Sequence, residues 1–421
     1  MKILFVTHQF FPLHHTGTER VTLDIAKQLQ RMGNFVTVLT YEPSSILKNE
    51  KNSKFLYSGT GIEDPEFEKL NDDIKRKFYT FESVPVISFR HIKHVLGFEI
   101  FDTKIEPFLH EIIKNFDIVH FTHPMRFCSA LKICKELRVP TILTLTDVWL
   151  LCPRALITSD MQICDGPDEG KKCMSLCHYD ENILSRYYDA KYFFDNVDMV
   201  FSGSKFARNS YLENGWNRQI NLNTFSVDYS YVKKVDDPKE LVFVFMGTFA
   251  WHKGLHVLID AFQKVKNDKI RLKIFGRAET NNPYTDTITS AAKNDNRIEF
   301  SGLFDYDDIS TIMNDVSVLV IPSNYKENFP LVMQLALAFK KPVIATNTGG
   351  HPEVIQNGVN GFLFEPGNVD ELSKIIQKLS DDKQLVSKIK KSIKLPPRME
   401  QEAFTYEQTY RELLKNQNIK K

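Results

Sequence analysis

Residues 241–276 read LVFVFMGTFAWHKGLHVLIDAFQKVKNDKIRLKIFG. The run Leu241–Met246 is wholly apolar, as a strand buried on both faces must be. A loop follows. Leu258, Ala261, Phe262 and Val265 then recur three or four residues apart, which puts them on one face of a helix. The stretch closes on a second strand, RLKIFG. Strand, crossover helix and strand make a βαβ unit. Chains of such units build parallel sheets with helices on both faces.

The chain opens with the same grammar. KILFVTH is an apolar strand, QFFPLHHTGT a loop, and Val21, Ile25, Leu29 and Met32 mark a helix. Gly33 stops that helix, and FVTVLTY is the next strand. Strands are expected near 2–7, 35–40, 117–121 and 141–146, then near 241–246, 270–275, 297–300, 316–321, 342–346 and 362–364. The expected architecture is α/β, with two Rossmann-like doubly wound domains facing each other across a cleft. The first spans 1–230 and the second 240–395, joined by the charged YVKKVDDPKE at 231–240. Residues 45–110 are the least legible, and a charged portion near 64–78 reads as helix. In the tail, Ala403, Tyr406, Tyr410 and Leu413 fall on one side of an amphipathic helix.

Bulk properties narrow the function. The chain has 421 residues, 42% hydrophobic and 25% charged, with a net charge of +1. That balance suits a multi-domain globular protein and argues against a nucleic-acid binder held by many phosphate contacts. No apolar run approaches the ~18 residues of a membrane span. MKILFVTHQFFP lacks the features of a signal peptide and reads as a first strand. A cytoplasmic protein is expected, and peripheral contact with the inner face of a membrane is compatible with this reading.

In open parallel sheets, ligands sit beyond the carboxyl ends of the strands. Three loops there carry chemistry. Gly17 in HHTGTER precedes a helix whose free N–H groups and dipole could hold a phosphate. The alternative is a plain turn with Thr18 as N-cap. The stretch lacks the G-x-G-x-x-G pattern of nicotinamide-dependent dehydrogenases. Lys253 sits at a helix start, where its charge opposes the dipole. A bound diphosphate would reconcile the two, and a solvated lysine is the plainer reading. Glu327 lies in NYKENFP, before the apolar helix Leu331–Phe339, whose first N–H groups at Leu331 and Val332 lack partners inside the helix. It could accept hydrogen bonds from sugar hydroxyls, cap that helix, or pair with Lys326 or a nearby base. Gly349–Gly350 would let a backbone approach a ligand closely, or form a tight turn.

Taken together, the order HKG, FG, SG, PS…ENFPLV and KPVIAT…GG resembles the family-4 glycosyltransferases of GT-B fold. The first half agrees through its glycine loop, DIVHFTH and TLTDVWLLCPR. The resemblance implies that the second domain binds a nucleotide-sugar and that a C-terminal helix in 400–421 packs back on the first, acceptor-side domain. It implies that Lys253 holds the donor diphosphate, Glu327 approaches the transferred sugar, and Asn328, Phe329, Leu331 and Val332 meet sugar and phosphate. Gly17 would complete the phosphate cradle. The family retains anomeric configuration and needs no metal or other cofactor for the chemistry. The leaving phosphate takes the acceptor's proton. Departures are also plain. The second glutamate of the E-x7-E motif is Leu335, with Gln334 beside it pointing elsewhere on the helix. Thr248 stands near the family's missing arginine, Thr146 replaces the histidine of its HD pair although Asp147 remains, and Thr18 replaces the second glycine of the first loop.

Cys152, Cys164, Cys173 and Cys177 lie within 26 residues. A structural zinc site with four thiolates would suit this loop. Unlinked thiols, disulfides or an iron–sulfur cluster are the other readings. His178 is a substitute ligand, and Cys128 and Cys134 read as buried hydrophobes.

The reading favoured is a retaining hexosyltransferase of polysaccharide or glycoconjugate biosynthesis. It moves a sugar from a nucleoside diphosphate to a glycan or lipid-linked acceptor, with Lys253, Glu327 and Asp147 as catalytic residues. Asp147, His123, His14 and His15 are acceptor-side candidates. The alternative is a catalytically silent GT-B protein that binds an active transferase, and a nucleotide-sugar epimerase on the same fold is a third option.

Overall fold

The computed structural model describes residues 1–14, 16–42, 66–92, 99–229, 232, 238, 240–276, 283–304 and 308–419. The chain divides into two compact units. The first comprises Met1–Ser159, Cys164–Phe225 and Arg398–Lys421, and the second Asp160–Ile163 and Ser226–Pro397.

The first unit is built on β1 (Lys2–Val6), β2 (Phe35–Tyr41), β3 (Glu68–Lys69), β4 (Ile74–Phe81), β5 (Val84–His91), β6 (Ile118–Phe121), β7 (Thr141–Leu145), β8 (Met199–Ser202) and β9 (Asn221–Leu222). Its order is β3-β4-β5-β2-β1-β6-β7-β8-β9. All neighbours pair in parallel except β3 with β4 and β4 with β5. The chain starts in mid-sheet at β1, winds outward, then returns to lay β6 against the other side of β1. Val6 lies beside Leu39 on one side and Phe121 on the other.

The second unit repeats the plan with β10 (Leu241–Met246), β11 (Ile270–Phe275), β12 (Ile298–Gly302), β13 (Val318–Ile321), β14 (Val343–Thr346) and β15 (Gly361–Phe364). The order is β12-β11-β10-β13-β14-β15, and every pairing is parallel. Strand order reverses between β1 and β6 in one unit and between β10 and β13 in the other. Such a reversal opens a crevice at the carboxyl ends of its two strands.

The helices bury the faces their periodicity announced. Helix Gly17–Arg31 buries Val21, Ile25 and Leu29, and helix Leu255–Gln263 buries Leu258, Ala261 and Phe262. Helix Leu331–Ala338 is buried almost all round. The tail forms helix Met399–Ile419, which belongs to the first unit and buries Ala403, Tyr406 and Tyr410. A chain of polar contacts locks it onto β6 and β7. Tyr410 OH lies 2.6 Å from His120 Nδ1, His120 Nε2 lies 2.7 Å from Thr144 Oγ1, and that hydroxyl donates to Tyr406 OH at 3.1 Å. Burial pushes the His120 pKa down to about 3, so the ring is neutral at ordinary pH. Asn34 Nδ2 donates to Glu407 Oε1 at 3.1 Å. Among the described residues, no helix is long and apolar enough to cross a membrane.

One expectation is corrected. Within the charged stretch near 64–78 the described residues form no helix: Glu68–Lys69 and the residues from Ile74 onward are strand, as β3 and the start of β4, with a turn between them. β4 pairs antiparallel with β5 along its whole length. Its charges hid this, because Lys77 points inward, is 2% exposed, and meets Glu42 at 2.6 Å. Most of the expected joint at 231–240, and residues 45–65 and 93–98 of the illegible segment, lie outside the described residues.

Tyr410→Phe should lower stability by about 1–2 kcal/mol, because it strands a buried ring nitrogen of His120. Phe404→Ala, on the exposed side of the same helix, should change it by less than ~0.5 kcal/mol. Urea denaturation midpoints check both.

Candidate active site

β10 and β13 are neighbours, and the loops at their carboxyl ends carry Lys253 and Glu327. The loop after β10 ends in a single 3-10 turn, Trp251–Lys253, and Gly254 caps the helix that follows. Gly254 has φ +69°, and a Cβ there would lie 1.8 Å from the Pro322 carbonyl oxygen. Only glycine permits that approach, which pins Lys253 beside the end of β13. Lys253 Nζ then lies 3.0 Å from Glu327 Oε1 and 3.0 Å from Tyr325 OH. The expected clash with the helix dipole is resolved within the chain, since the lysine meets a carboxylate.

Glu327 is fixed from two further sides. Ser323 Oγ donates to the same carboxylate oxygen. Gly350 N–H donates to the Glu327 carbonyl at 2.8 Å, and a Cβ on Gly350 would lie 1.8 Å from the Asn328 carbonyl oxygen. The glycine pair therefore serves as a backbone clamp on the Glu327 loop. Burial disfavours charge on Glu327, yet Lys253, His351 and the Ser323 hydroxyl outweigh it and hold the carboxyl below its ordinary range. Burial also disfavours charge on Lys253, and Glu327 with Tyr325 raises its pKa above the ordinary lysine value. Next door, burial and the Lys253 charge push His252 down to about 4, so it is neutral at ordinary pH.

Helix Leu331–Ala338 starts directly after this loop. Its N-cap is Pro330, and no side chain caps it. Its first amides are thus open to an acceptor. Asn328 and Val332 are half-buried, and Phe329 and Leu331 are buried. Thr248 is exposed at the start of the Lys253 loop, where its carbonyl accepts the Ala250 N–H at 2.9 Å. The second unit therefore carries its seven donor-side candidates, Thr248, Lys253, Glu327, Asn328, Phe329, Leu331 and Val332, on two adjoining loops and one helix start. Leu335 is wholly buried, and Gln334 is buried with its amide nitrogen unpartnered.

In the first unit, the carboxyl ends of β1, β6 and β7 place His8, Gly17, His123 and Asp147. The N-cap of helix Gly17–Arg31 is Thr16, not Thr18. Thr16 N and Oγ1 lie 2.7 and 2.5 Å from Glu19 Oε2. The chain's own carboxylate therefore complements this helix end, next to the exposed Gly17. His123 Nε2 lies 3.0 Å from Asp147 Oδ2, and Trp149 N–H donates to Asp147 Oδ1 at 2.8 Å. Burial raises the Asp147 carboxyl, but His123 and these bonds hold it below its ordinary range. Thr146 uses its hydroxyl on the Thr122 carbonyl at 2.7 Å. The His8 ring lies 3.9 Å from that of His123, and burial and the neighbouring His123, Arg126 and His14 push it well below 6.5. His15 lies outside the described residues.

Ser323, Tyr325, His351, Glu19 and His8 escaped the sequence reading. Ser323 and Tyr325 flank Glu327 by four and two positions in a loop, where spacing carries no fixed direction.

The six cysteines are free. Cys152 Sγ accepts the Leu156 N–H and Cys164 Sγ the Gly166 N–H, each at 3.4 Å, while Cys177 Sγ faces the Ile157 carbonyl at 3.9 Å. Among the described residues, no group of three or more His, Cys, Asp or Glu side chains stands ready to hold a metal ion. Cys152, Cys164, Cys173 and Cys177 thus do not form the preformed ligand shell that their spacing suggested.

Comparison with known proteins agrees in both halves. Residues 15–221 match the model Glycosyltransferase Family 4, and residues 231–395 match Glycosyl transferases group 1. An uncharacterized glycosyltransferase of Methanocaldococcus jannaschii is 31% identical over 214 residues, 49% of this chain and 56% of that protein. The capsular polysaccharide biosynthesis glycosyltransferase CapM of Staphylococcus aureus is 28% identical over 170 residues, 40% of this chain and 43% of its own. The chain thus spans about half the length of the curated relatives it matches. Among solved structures, HepE from Anabaena in complex with UDP and glucose aligns with a TM-score of 0.68 at 17% identity, covering 97% of this chain and 99% of that one. Sucrose-phosphate synthase from Thermosynechococcus elongatus aligns with a TM-score of 0.69 at 17% identity, covering 99% of each chain. The two family models together account for most of the chain, the strand orders of both sheets are those of Rossmann-like domains, and the protein belongs to the family-4 glycosyltransferases with a GT-B fold.

Proposed function

We propose that this chain is a retaining glycosyltransferase that moves a hexose from a nucleoside diphosphate donor to a glycan or lipid-linked acceptor, without a metal in the chemistry. The observation that carries the reading is the ion pair of Lys253 and Glu327 at the strand-order reversal of the second unit, beside an uncapped helix start. The donor diphosphate takes the place of Glu327 as partner of Lys253, and its remaining oxygens accept from the amides at Leu331 and Val332. Glu327, released, accepts hydroxyls of the sugar. The anomeric carbon–phosphate oxygen bond breaks as the acceptor oxygen bonds to the same face of that carbon, and the acceptor's proton passes to the departing phosphate. The lysine and the helix start stabilise the charge that grows on this leaving group, where fixed donors act most strongly. Asp147 and His123 are the first unit's candidates for the acceptor, and Gly17 for the donor phosphate. Several structures of HepE hold UDP, UDP with glucose, or UDP-glucose, which makes uridine nucleotides the first probes. A lipid-linked acceptor would draw the protein to the inner face of a membrane.

A second reading, a silent protein that partners an active transferase, is favoured by Leu335. A fully buried leucine offers nothing to a ribose hydroxyl. Turnover of any donor across a panel of nucleotide sugars supports the enzyme, and neither binding nor turnover supports the partner.

Two outcomes are expected. Lys253→Ala should weaken UDP binding about 10- to 100-fold in calorimetry, the worth of one or two hydrogen bonds to a charged group, and should abolish transfer. Glu327 titrates below its ordinary 4.5 in the folded chain. Its ion pair therefore stabilises fully above that value and weakens as pH falls through the lower folded value. The stability gap between the native chain and Glu327→Gln should narrow as pH falls below 4.5 in urea denaturation.

A further inference from the structure

Arg126 stands at the strand-order reversal of the first unit, shortly after β6, in a turn closed by the Phe127 N–H on the Pro124 carbonyl at 2.8 Å. Its φ is +70°. At that position of a turn, glycine or asparagine adopts such a conformation most cheaply. An arginine there carries a backbone cost, and costs of this kind gather at binding sites. The side chain reaches over the end of β1. Its guanidinium carbon lies 4.3 Å from the centre of the Tyr41 ring, and Tyr41 ends β2, on the other side of β1. That platform is itself held. Tyr41 OH lies 3.2 Å from His91 Nδ1, and His91 Nε2 lies 2.9 Å from Asp102 Oδ2.

Nothing in the chain answers the arginine's charge. Burial raises the Tyr41 pKa above its ordinary value, so the ring is a neutral phenol. Its face orients the cation but does not take the N–H donors as a carboxylate would. Among the described residues, Arg126 makes no hydrogen bond and no ion pair. The carboxylates nearby are engaged elsewhere. Asp147 holds His123 and the Trp149 N–H, Glu19 complements its own helix start, and Asp102 faces His91. Other arginines of this unit are paired: Arg20 meets Asp24 at 2.9 Å, and Arg90 meets Glu42 at 2.7 Å. His8, within electrostatic reach of Arg126, is held neutral and packs on His123. The result is a half-buried, oriented and unanswered cation in the cluster that supplies the acceptor candidates His123 and Asp147.

We infer that Arg126 binds an anionic group of the acceptor, a phosphate or a carboxylate, and so selects an acceptor that carries one. The inference rests on the transferase reading above and names the acceptor class. A guanidinium fork takes two oxygens of either group side by side. Partial burial makes that bond stronger than it is in open water, and the remaining exposure leaves the anion a way in. A neutral sugar gains nothing comparable at this position.

The test is calorimetry on the full chain, native and Arg126→Gln, with and without saturating UDP to fill the place beside Lys253. The probes are glucose 6-phosphate, glucuronate and glucose for a glycan acceptor, and farnesyl phosphate and farnesol for a lipid one. One anionic probe should bind about 10- to 100-fold more tightly than its neutral counterpart, the worth of charge-assisted hydrogen bonds. Which probe does so separates a sugar from a lipid carrier, and phosphate from carboxylate. Arg126→Gln should abolish the preference, and Arg126→Lys should restore part of it. Should the variants misfold, protection of the native Arg126 from phenylglyoxal by the anionic probes, and not by the neutral ones, decides. Equal binding of charged and neutral probes, or a preference that survives Arg126→Gln, overturns the inference. So does weaker UDP binding by Arg126→Gln, which would assign the arginine to the donor. Failure of the native chain to bind UDP would instead contradict the proposed function, and the anion preference is still read from the titrations without UDP.

Discussion

The second unit depends on an ion pair, a half-buried lysine against a buried glutamate, placed where its strand order reverses. Lys253 and Glu327 come from loops after β10 and β13, far apart in sequence and adjacent in the sheet. Either charge alone would be costly in this position, and together they satisfy one another. Gly254 and Gly350 hold the two loops against backbone oxygens so closely that no side chain could stand in their place. The pair is thus a preset electrostatic element, with an uncapped helix start beside it.

That arrangement is well suited to exchange. A half-buried lysine already paired with a carboxylate costs less to desolvate when a second anion arrives. In the proposed exchange the displaced carboxylate would keep the Ser323 hydroxyl and so need not return to water. The first unit uses its corresponding reversal differently. There the helix start is complemented by Glu19 from the chain itself, and His123 with Asp147 forms a second polar pair. The difference agrees with a division in which phosphate binds mainly to the second unit.

Much of the fold could be read from the sequence because both faces of the parallel strands are buried. Such strands are continuous apolar runs, and Leu241–Met246 and Val318–Ile321 needed no more than that. β4 could not be read in this way. Its inward Lys77 is balanced by Glu42, a partner 35 positions earlier, and local pattern says nothing of such a pairing. The candidate site is legible only as residue types on loops, Lys253 and Glu327 among them. Their contact is not, since a loop fixes no direction for its side chains. Thr16 displaced Thr18 as the cap because Glu19 reaches back to it, a choice that depends on backbone geometry.

The proposed transfer depends on one exchange, in which a nucleotide's phosphates take over the Lys253 ammonium from Glu327. A crystal structure of the chain with UDP tests it most directly. Diphosphate oxygens within hydrogen-bond distance of Lys253 Nζ and of the amides of Leu331 and Val332, with Glu327 released, are predicted. An intact Lys253–Glu327 pair, with the nucleotide bound elsewhere, would contradict it.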